Sequence, residues 1–363
     1  MDADRVLAFR FARAGLAQRV AGDPAAGAPV PVSDVAPHAA LLALAARVEG
    51  LTADGMRRAV DEGRLVTAHL LRGALHALAP GDLALFGPAL LAEDDEELGV
   101  QLGEQARRVA AAAGLRPSAA LGEVAAAVTD ALAGGRRLGR DALHAEMRAR
   151  VRRALMPPCA RCGTHHVAPM LWRLATIRAG AVLDSARRYH LRPHVGGADP
   201  AEAVRRFLAV YGPATPGDLA AWAGLARPHA ARLWDAADHG LAEVRVGRRR
   251  GWVRAEDLPA LAAPPPARGV RLLPPGDPLL QAPNRPLLVP DPALRARLFR
   301  PSGSPGAVTA EGRLAGLWRL RVAGGSGHLT VEHLGPLPRR ALEEEAGRIA
   351  GLRGAERVVV TEA

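Results

Sequence analysis

Two short stretches of this chain carry residue types that chemistry can use. The first is Ser33-Asp34-Val35. A carboxylate and a hydroxyl held at the mouth of a rigid helix could orient a water and favour positive charge developing on a substrate. Ser and Asp are also the types preferred as helix N-caps, where the side-chain oxygen accepts from a free backbone N–H. Both readings stand. The second stretch is Cys159-Ala-Arg-Cys162-Gly-Thr-His165-His166. Two thiolates and one or two imidazoles suit tetrahedral zinc. Four ligands from so short a loop would be strained, so His144 or His190 could be needed as well. Alternatively the loop packs, or one of His165 and His166 meets a bound partner. A thioredoxin-type redox role lacks the surrounding βαβ pattern.

The elements that must hold these residues follow from periodicity. After the first stretch, Leu41, Leu44 and Val48 share one helical face and alanine fills the rest. A helix apolar on all sides is a buried helix. Pro37 suits its first turn. An amphipathic helix is expected near residues 4–20 (Val6, Phe9, Ala12, Leu16). Thr52 opens another as an N-cap, and residues 64–78 read as extended with a break at Gly73. Helices followed by a strand pair give the order of a winged helix. A second such unit has helical faces at Leu121/Val124/Val128/Leu132, Leu143/Met147/Val151 and Leu171/Leu174/Ala175, with the Cys/His loop as an insert. The acidic run Glu93–Glu97 is expected to be a solvated face.

A third unit is the clearest. Val204, Phe207, Leu208 and Tyr211 fall at i, i+3, i+4, i+7. Thr215-Pro-Gly-Asp218 reads as a capped helix start, Gly224 to Pro228 as a tight turn, and Ala230, Leu233, Trp234 and Ala237 as a second helix. Arg227, His229 and Arg232 are expected on that helix's outer face. Val244 to Val253 reads as a hairpin whose tip carries Arg248, Arg249 and Arg250. Such a tip suits phosphate contacts, which are salt-dependent and indifferent to base sequence. After Pro264-Pro-Pro266, strands are expected at 287–289, 317–322, 329–331 and 358–360, a turn at 324–327, and a helix through Leu342, Ala346, Ile349 and Leu352. The expected architecture is α+β: three tandem winged helix-turn-helix units (1–98, 99–195, 196–263) and a small, barrel-like, β-rich C-terminal domain (267–363).

Composition bounds the class. The 363 residues are 49% hydrophobic, enough for a sizeable core, and only 3% aromatic, so Leu, Val and Ala must build it. All 48 basic side chains are arginine, and the net charge of +11 favours a polyanionic partner. No apolar run is long enough for a membrane span. The N-terminus lacks the pattern of a secretion signal, and two closely spaced cysteines cannot staple a fold, so the chain is expected to be cytoplasmic and reduced.

Several segments in series resemble one family: Ala8-Phe-Arg, Ala39 to Arg47, Arg72-Gly-Ala-Leu-His76, Tyr211-Gly-Pro-Ala-Thr215 with Trp222, Arg271-Leu-Leu-Pro-Pro-Gly-Asp277 with Arg285, and Gly312-Arg-Leu-Ala-Gly-Leu-Trp318. This is the winged-helix DNA-binding family that includes the azinomycin-resistance and crosslink-repair DNA glycosylases. The resemblance implies tandem winged helices around a DNA channel, and cleavage of the N-glycosidic bond of alkylated purines or bulky adducts in double-stranded DNA by a protein expected to be monomeric. On that reading Arg72 and His76, with Arg227, His229, Arg232 and the three wing arginines, would face DNA. An N7-alkylated guanine is already cationic, so the enzyme needs only to place a water and stabilise an oxocarbenium-like centre. Family members use a Gln-apolar-Gln or Gln-apolar-Asp motif before the helix matching Ala39–Arg47. Here those positions are Ser33, Asp34 and Val35, with neither glutamine. That leaves Asp34, aided by Ser33, as the candidate catalytic group, and a non-catalytic DNA-binding protein as the alternative. No cofactor is expected beyond a structural zinc on Cys159, Cys162, His165 and His166.

Overall fold

The computed structural model describes residues 1–160, 162–192, 197–300 and 302–362. The architecture is mixed α and β, as expected. By contacts the chain divides into two units, one formed by Met1–Ala59, Arg205–Thr215 and His239–Ala363, the other by Val60–Val204 and Pro216–Asp238. Segment 196–263 therefore contributes to both, and each unit is described by itself.

The first unit is built on a five-stranded sheet in the order Arg357–Glu362, Ser326–His333, Arg313–Ala323, Gly306–Ala310, Val270–Leu273. Its ends are distinct strands, so it is an open sheet and not the barrel-like closure expected. Gly324 and Gly325, both at positive φ, form the two-residue turn between the long central strands, where the primed turn matches strand twist. The outer strand Arg357–Glu362 runs parallel to its neighbour, which demands a crossover. The helix Arg339–Leu352 supplies it, burying Leu342, Ala346 and Ile349 against Leu272, Val308, Trp318, Leu329 and Val331. Leu42 of the helix Ala39–Ala45 joins the same cluster.

Three further expectations are corrected in this unit. The N-terminal helix stops at Arg13 rather than near residue 20, where Gly15 at φ 75° turns the chain. Residues 287–289 are not a strand: Arg285–Leu288 is a helical turn started by Pro286 near its N-terminus, where proline's fixed φ is helical. The hairpin Leu241–Val246/Arg249–Arg254 turns on Gly247 and Arg248 alone, so Arg249 and Arg250 lie in its second strand. Alternation along the hairpin puts Ala242, Val244, Val246 and Val253 against Val6, Phe9 and Leu261.

In the second unit, helices Asp95–Ala112, Pro117–Leu132, Arg140–Arg150 and Pro169–Arg178 share a core containing Leu98, Leu102, Leu121, Val124, Val128, Leu143, Met147, Leu171 and Leu174. Its strands run Leu75–Leu78, Val66–His69, Ala181–Leu183, Tyr189–Leu191, each antiparallel to its neighbour. The break at Gly73 is present, as a short 3-10 turn Leu71–Gly73. Helices Pro216–Ala223 and Arg227–Ala236 meet at Gly224, φ 77°, where a Cβ would lie 2.7 Å from Arg72 Cγ. The acidic run is not simply a solvated face. Asp94 caps Asp95–Ala112 by accepting from the N–H groups of Glu96 and Glu97, and the Glu97 side chain is buried.

Candidate functional site

The helix Ala39–Ala45 is buried along its whole length, as its composition dictates. Its exit is pinned by Arg47, which is 1% exposed. The Arg47 guanidinium donates to both carboxylate oxygens of Asp277 at 2.7 and 2.9 Å, to the carbonyl of Ala43 at 2.7 Å and to that of Ala14 at 2.6 Å. Four of the five N–H donors of the fork have these acceptors, and the paired carboxylate is what allows the charge to be buried. Asp277 also accepts from the N–H of Leu279, and the Gly276 beside it has φ 86°. A Cβ on Gly276 would approach Ser33 Oγ to 3.0 Å. The segment 271–277 therefore grips both the exit of the helix and the turn before it.

That turn does not cap the helix. Val32–Ser33 is a two-residue strand, and His38 occupies the N-cap position at φ 62° with no side-chain capping bond. Pro37 lies outside the helix. Asp34 is half-buried, Val35 is 67% exposed and His38 is exposed. The His38 imidazole is held below its ordinary pKa, first by desolvation and then by the Arg353 guanidinium, while the Asp34 carboxylate acts in the opposite sense. Carboxylate and guanidinium thus both act on the imidazole at this turn. His38 was not legible as a site residue. Its only sequence signal is a polar side chain ahead of an apolar helix, and a left-handed non-glycine residue at such a place is strain of the kind functional turns carry.

The residues expected to face DNA divide. Arg248 is exposed in the hairpin turn and Arg249 and Arg250 are exposed on the strand that leaves it, with Arg250 3.6 Å from Glu243. Arg227 is exposed. His229 is 7% exposed with its Nδ1 buried and without a partner among the described residues, so it is not on an outer face. Arg232 is exposed but forms a bidentate ion pair with Glu97, one arm at 2.7 Å, and its guanidinium holds the Glu97 carboxyl below the usual range. His76 is 2% exposed and its Nδ1–H donates to the carbonyl of Ala74 at 2.9 Å, so the ring is not at a surface. Burial pushes it down to about 4, so it is neutral. Arg72, at φ 54°, is exposed and donates to the carbonyl of Trp222, a contact that ties the strand pair to Pro216–Ala223.

A cavity of about 220 Å³ in the second unit is lined by His69, His144, His166, Trp172, Tyr189, Arg140 and Arg173. His69 Nδ1 lies 2.9 Å from Thr176 Oγ1, whose hydroxyl donates to the carbonyl of Arg173 at 2.7 Å. The hydroxyl must then accept from the ring, which fixes His69 as the neutral Nδ1–H tautomer. Burial pushes its pKa down to about 3. Beside this cavity the loop brings together Cys159, Cys162 and His166. His165 is elsewhere, its Nδ1 3.1 Å from the carbonyl of Met156.

A family model described as DNA glycosylase AlkZ-like matches residues 22–352. The chain belongs to the AlkZ-like DNA glycosylase family. Among curated proteins it is similar to the interstrand DNA cross-link repair glycosylase of Streptomyces sahachiroi, 31% identical over 166 residues. That alignment spans 43% of this chain and 43% of the relative, well under half of each. Among solved structures, the Streptomyces sahachiroi DNA glycosylase AlkZ superposes with a TM-score of 0.79 over the whole of both chains at 22% identity, a likeness of fold.

In this family member the segments that carry the resemblance are largely framework. Arg10 of the Ala8-Phe-Arg segment is 4% exposed and donates to the carbonyls of Gly212, Pro213 and Pro283 and to Asn284 Oδ1. The Tyr211 hydroxyl donates to the carbonyl of Pro278 at 3.1 Å, and Trp318 Nε1 to that of Leu273 at 3.1 Å. Arg285 lies over the Phe299 ring at 4.3 Å. These side chains satisfy backbone groups that irregular segments would otherwise leave unpaired in the interior.

Proposed function

We propose that the chain binds double-stranded DNA and hydrolyses the N-glycosidic bond of alkylated or bulky-adduct bases. The observation that carries this reading is the family match across residues 22–352 joined to a half-buried carboxylate, Asp34, on an anchored turn ahead of the family's buried helix. Asp34 would orient the attacking water and favour positive charge at the departing sugar carbon; Ser33 would lend a hydroxyl to the same water. An alkylated purine that already bears positive charge needs no strong acid behind it. In this reading segments 1–98, 99–195 and 196–263 are winged-helix units and 267–363 a β-rich closure. Arg227 and the exposed tip arginines Arg248, Arg249 and Arg250 would meet phosphates, with Arg72 and Arg232 contributing from positions already tied to protein groups.

The experiment is direct. Duplex DNA bearing N7-alkylguanine is incubated with the protein, and free base and alkali-labile sites are measured. Release above spontaneous loss, reduced at least ~10²-fold in Asp34→Ala, is expected. Duplex binding with no release, identical in wild type and Asp34→Ala, favours the second reading, a non-catalytic regulator or lesion shield. That reading draws on Val35, an exposed aliphatic residue where the family motif has a polar one.

A further inference from the structure

We propose that Cys159, Cys162 and His166 form a zinc site that fastens the loop before Pro169–Arg178 to the core of the second unit. The ligand atoms of these three residues all lie within 4.8 Å of one another. Tetrahedral zinc with bonds of about 2.0–2.3 Å needs ligand atoms roughly 3.3–3.8 Å apart, so a contraction of about 1 Å suffices.

The backbone is arranged for this. The N–H of Cys159 donates to the carbonyl of Thr164 at 2.8 Å, and the N–H of Gly163 to that of Cys159 at 2.9 Å. Gly163 has φ 65°, a left-handed turn after the second cysteine, and Pro158 bridges to His165. These turns accompany the close approach of the two thiols to each other and to His166. His166 Nδ1 lies 3.2 Å from the carbonyl of Val167. Donation there fixes the tautomer and leaves the Nε2 lone pair for a metal, the usual second interaction of a ligating imidazole. A further ring stands close by. The His144 centroid is 5.4 Å from that of His166, and His144 Nδ1 is buried without a hydrogen-bond partner among the described residues. The fourth position is open to it or to water.

The donor set selects the ion. Two thiolates and imidazole suit a borderline-soft divalent metal, not magnesium or calcium. Binding exchanges two thiol protons, released to solvent, for two sulfur–zinc bonds, with no redox change. The loop leads directly into Val167 and Ala168, both fully buried, so the metal would fix the entry to Pro169–Arg178. The cluster belongs to the second unit, and metal binding there does not depend on glycosylase activity.

The full chain, expressed untagged and purified without chelators, is analysed for metal by mass spectrometry. About one zinc per chain is expected, against less than ~0.1 in Cys159→Ser/Cys162→Ser. Replacement by cobalt(II) should give the intense thiolate-to-metal charge-transfer band of a tetrahedral site, weakened in the single exposed variant Cys162→Ser. The cobalt titration of unaltered protein decides the matter even if the double variant misfolds. No zinc after reconstitution under reducing conditions, or no charge-transfer band, overturns the proposal. So does a disulfide between the two cysteines that excludes metal, or a folded double variant that keeps its zinc.

Discussion

Arg47 and Asp277, 230 residues apart in sequence, form a bidentate ion pair with both side chains almost wholly buried. The pair is the junction at which the segment 271–277 holds the helix that follows the candidate turn. Removing one partner leaves an uncompensated charge in the interior. Asp277→Ala is expected to cost about 3–5 kcal/mol and on the order of 10 °C in Tm. Replacing both partners by apolar residues of similar size should cost less than the single change. Thermal denaturation of the three proteins checks the order, and a double variant less stable than Asp277→Ala would contradict it.

Asp34 and the framework separate cleanly in a binding assay. Asp34→Asn keeps the side chain's shape but removes the negative charge. Base release should fall at least ~10²-fold, with duplex affinity unchanged or slightly raised because a negative charge facing phosphate is lost. Single-turnover release and a fluorescence binding titration on one preparation measure both. Equal losses in the two would place Asp34 in folding or docking instead.

The hairpin tip predicts a salt signature. Arg248, Arg249 and Arg250 are exposed, and the tip turns on Gly247 and Arg248. Changing all three to alanine should make the plot of log affinity against log salt shallower by about 2–3, at ~0.9 per phosphate contact. An unchanged slope would remove the tip from the DNA interface.

Two buried histidines set the acid limit of stability. Folded, His69 titrates at about 3 and His76 at about 4, because burial disfavours the charged ring. Unfolded, both titrate near 6.5. Above pH ~6.5 neither state takes up a proton, and their contribution is constant. As pH falls below that value the unfolded chain is protonated first, and each ring should withdraw about 2 kcal/mol by pH 5. Tm should therefore be level from pH 8 to 7 and drop towards pH 5. His76→Gln should have a gentler slope, and a flat profile for the unaltered protein would refute the assignment.

Glu97 supplies a last test. Its carboxylate neutralises Arg232 within the second unit. Glu97→Gln should release the guanidinium and raise affinity for duplex at low salt, with the gain vanishing as salt rises. A gain that persists at high salt would point to a conformational cause.

Local patterning in the chain determined the elements whose information is short-range. The buried helix Ala39–Ala45, the helix pair broken at Gly224, the long hairpin turning on Gly324 and Gly325, and the wing-like hairpin all follow from 3.6- or 2-residue periodicity and from glycine at left-handed positions. The Cys/His cluster was also legible, because its members are neighbours in sequence. What depends on distant partners was not. His76 and His229, expected to face DNA, lie inside, since burial is decided by elements that pack from elsewhere. The strand expected at 287–289 became a helical turn, and the barrel stayed an open sheet, because strand status and closure need partners that local sequence does not specify. The same holds at the candidate site. Ser33 and Asp34 announced themselves by type, but only the tertiary structure denied them the role of helix cap. It gave that position to His38 and fixed the turn through Gly276 and the Arg47–Asp277 pair, contacts whose partners lie more than 200 residues along the chain.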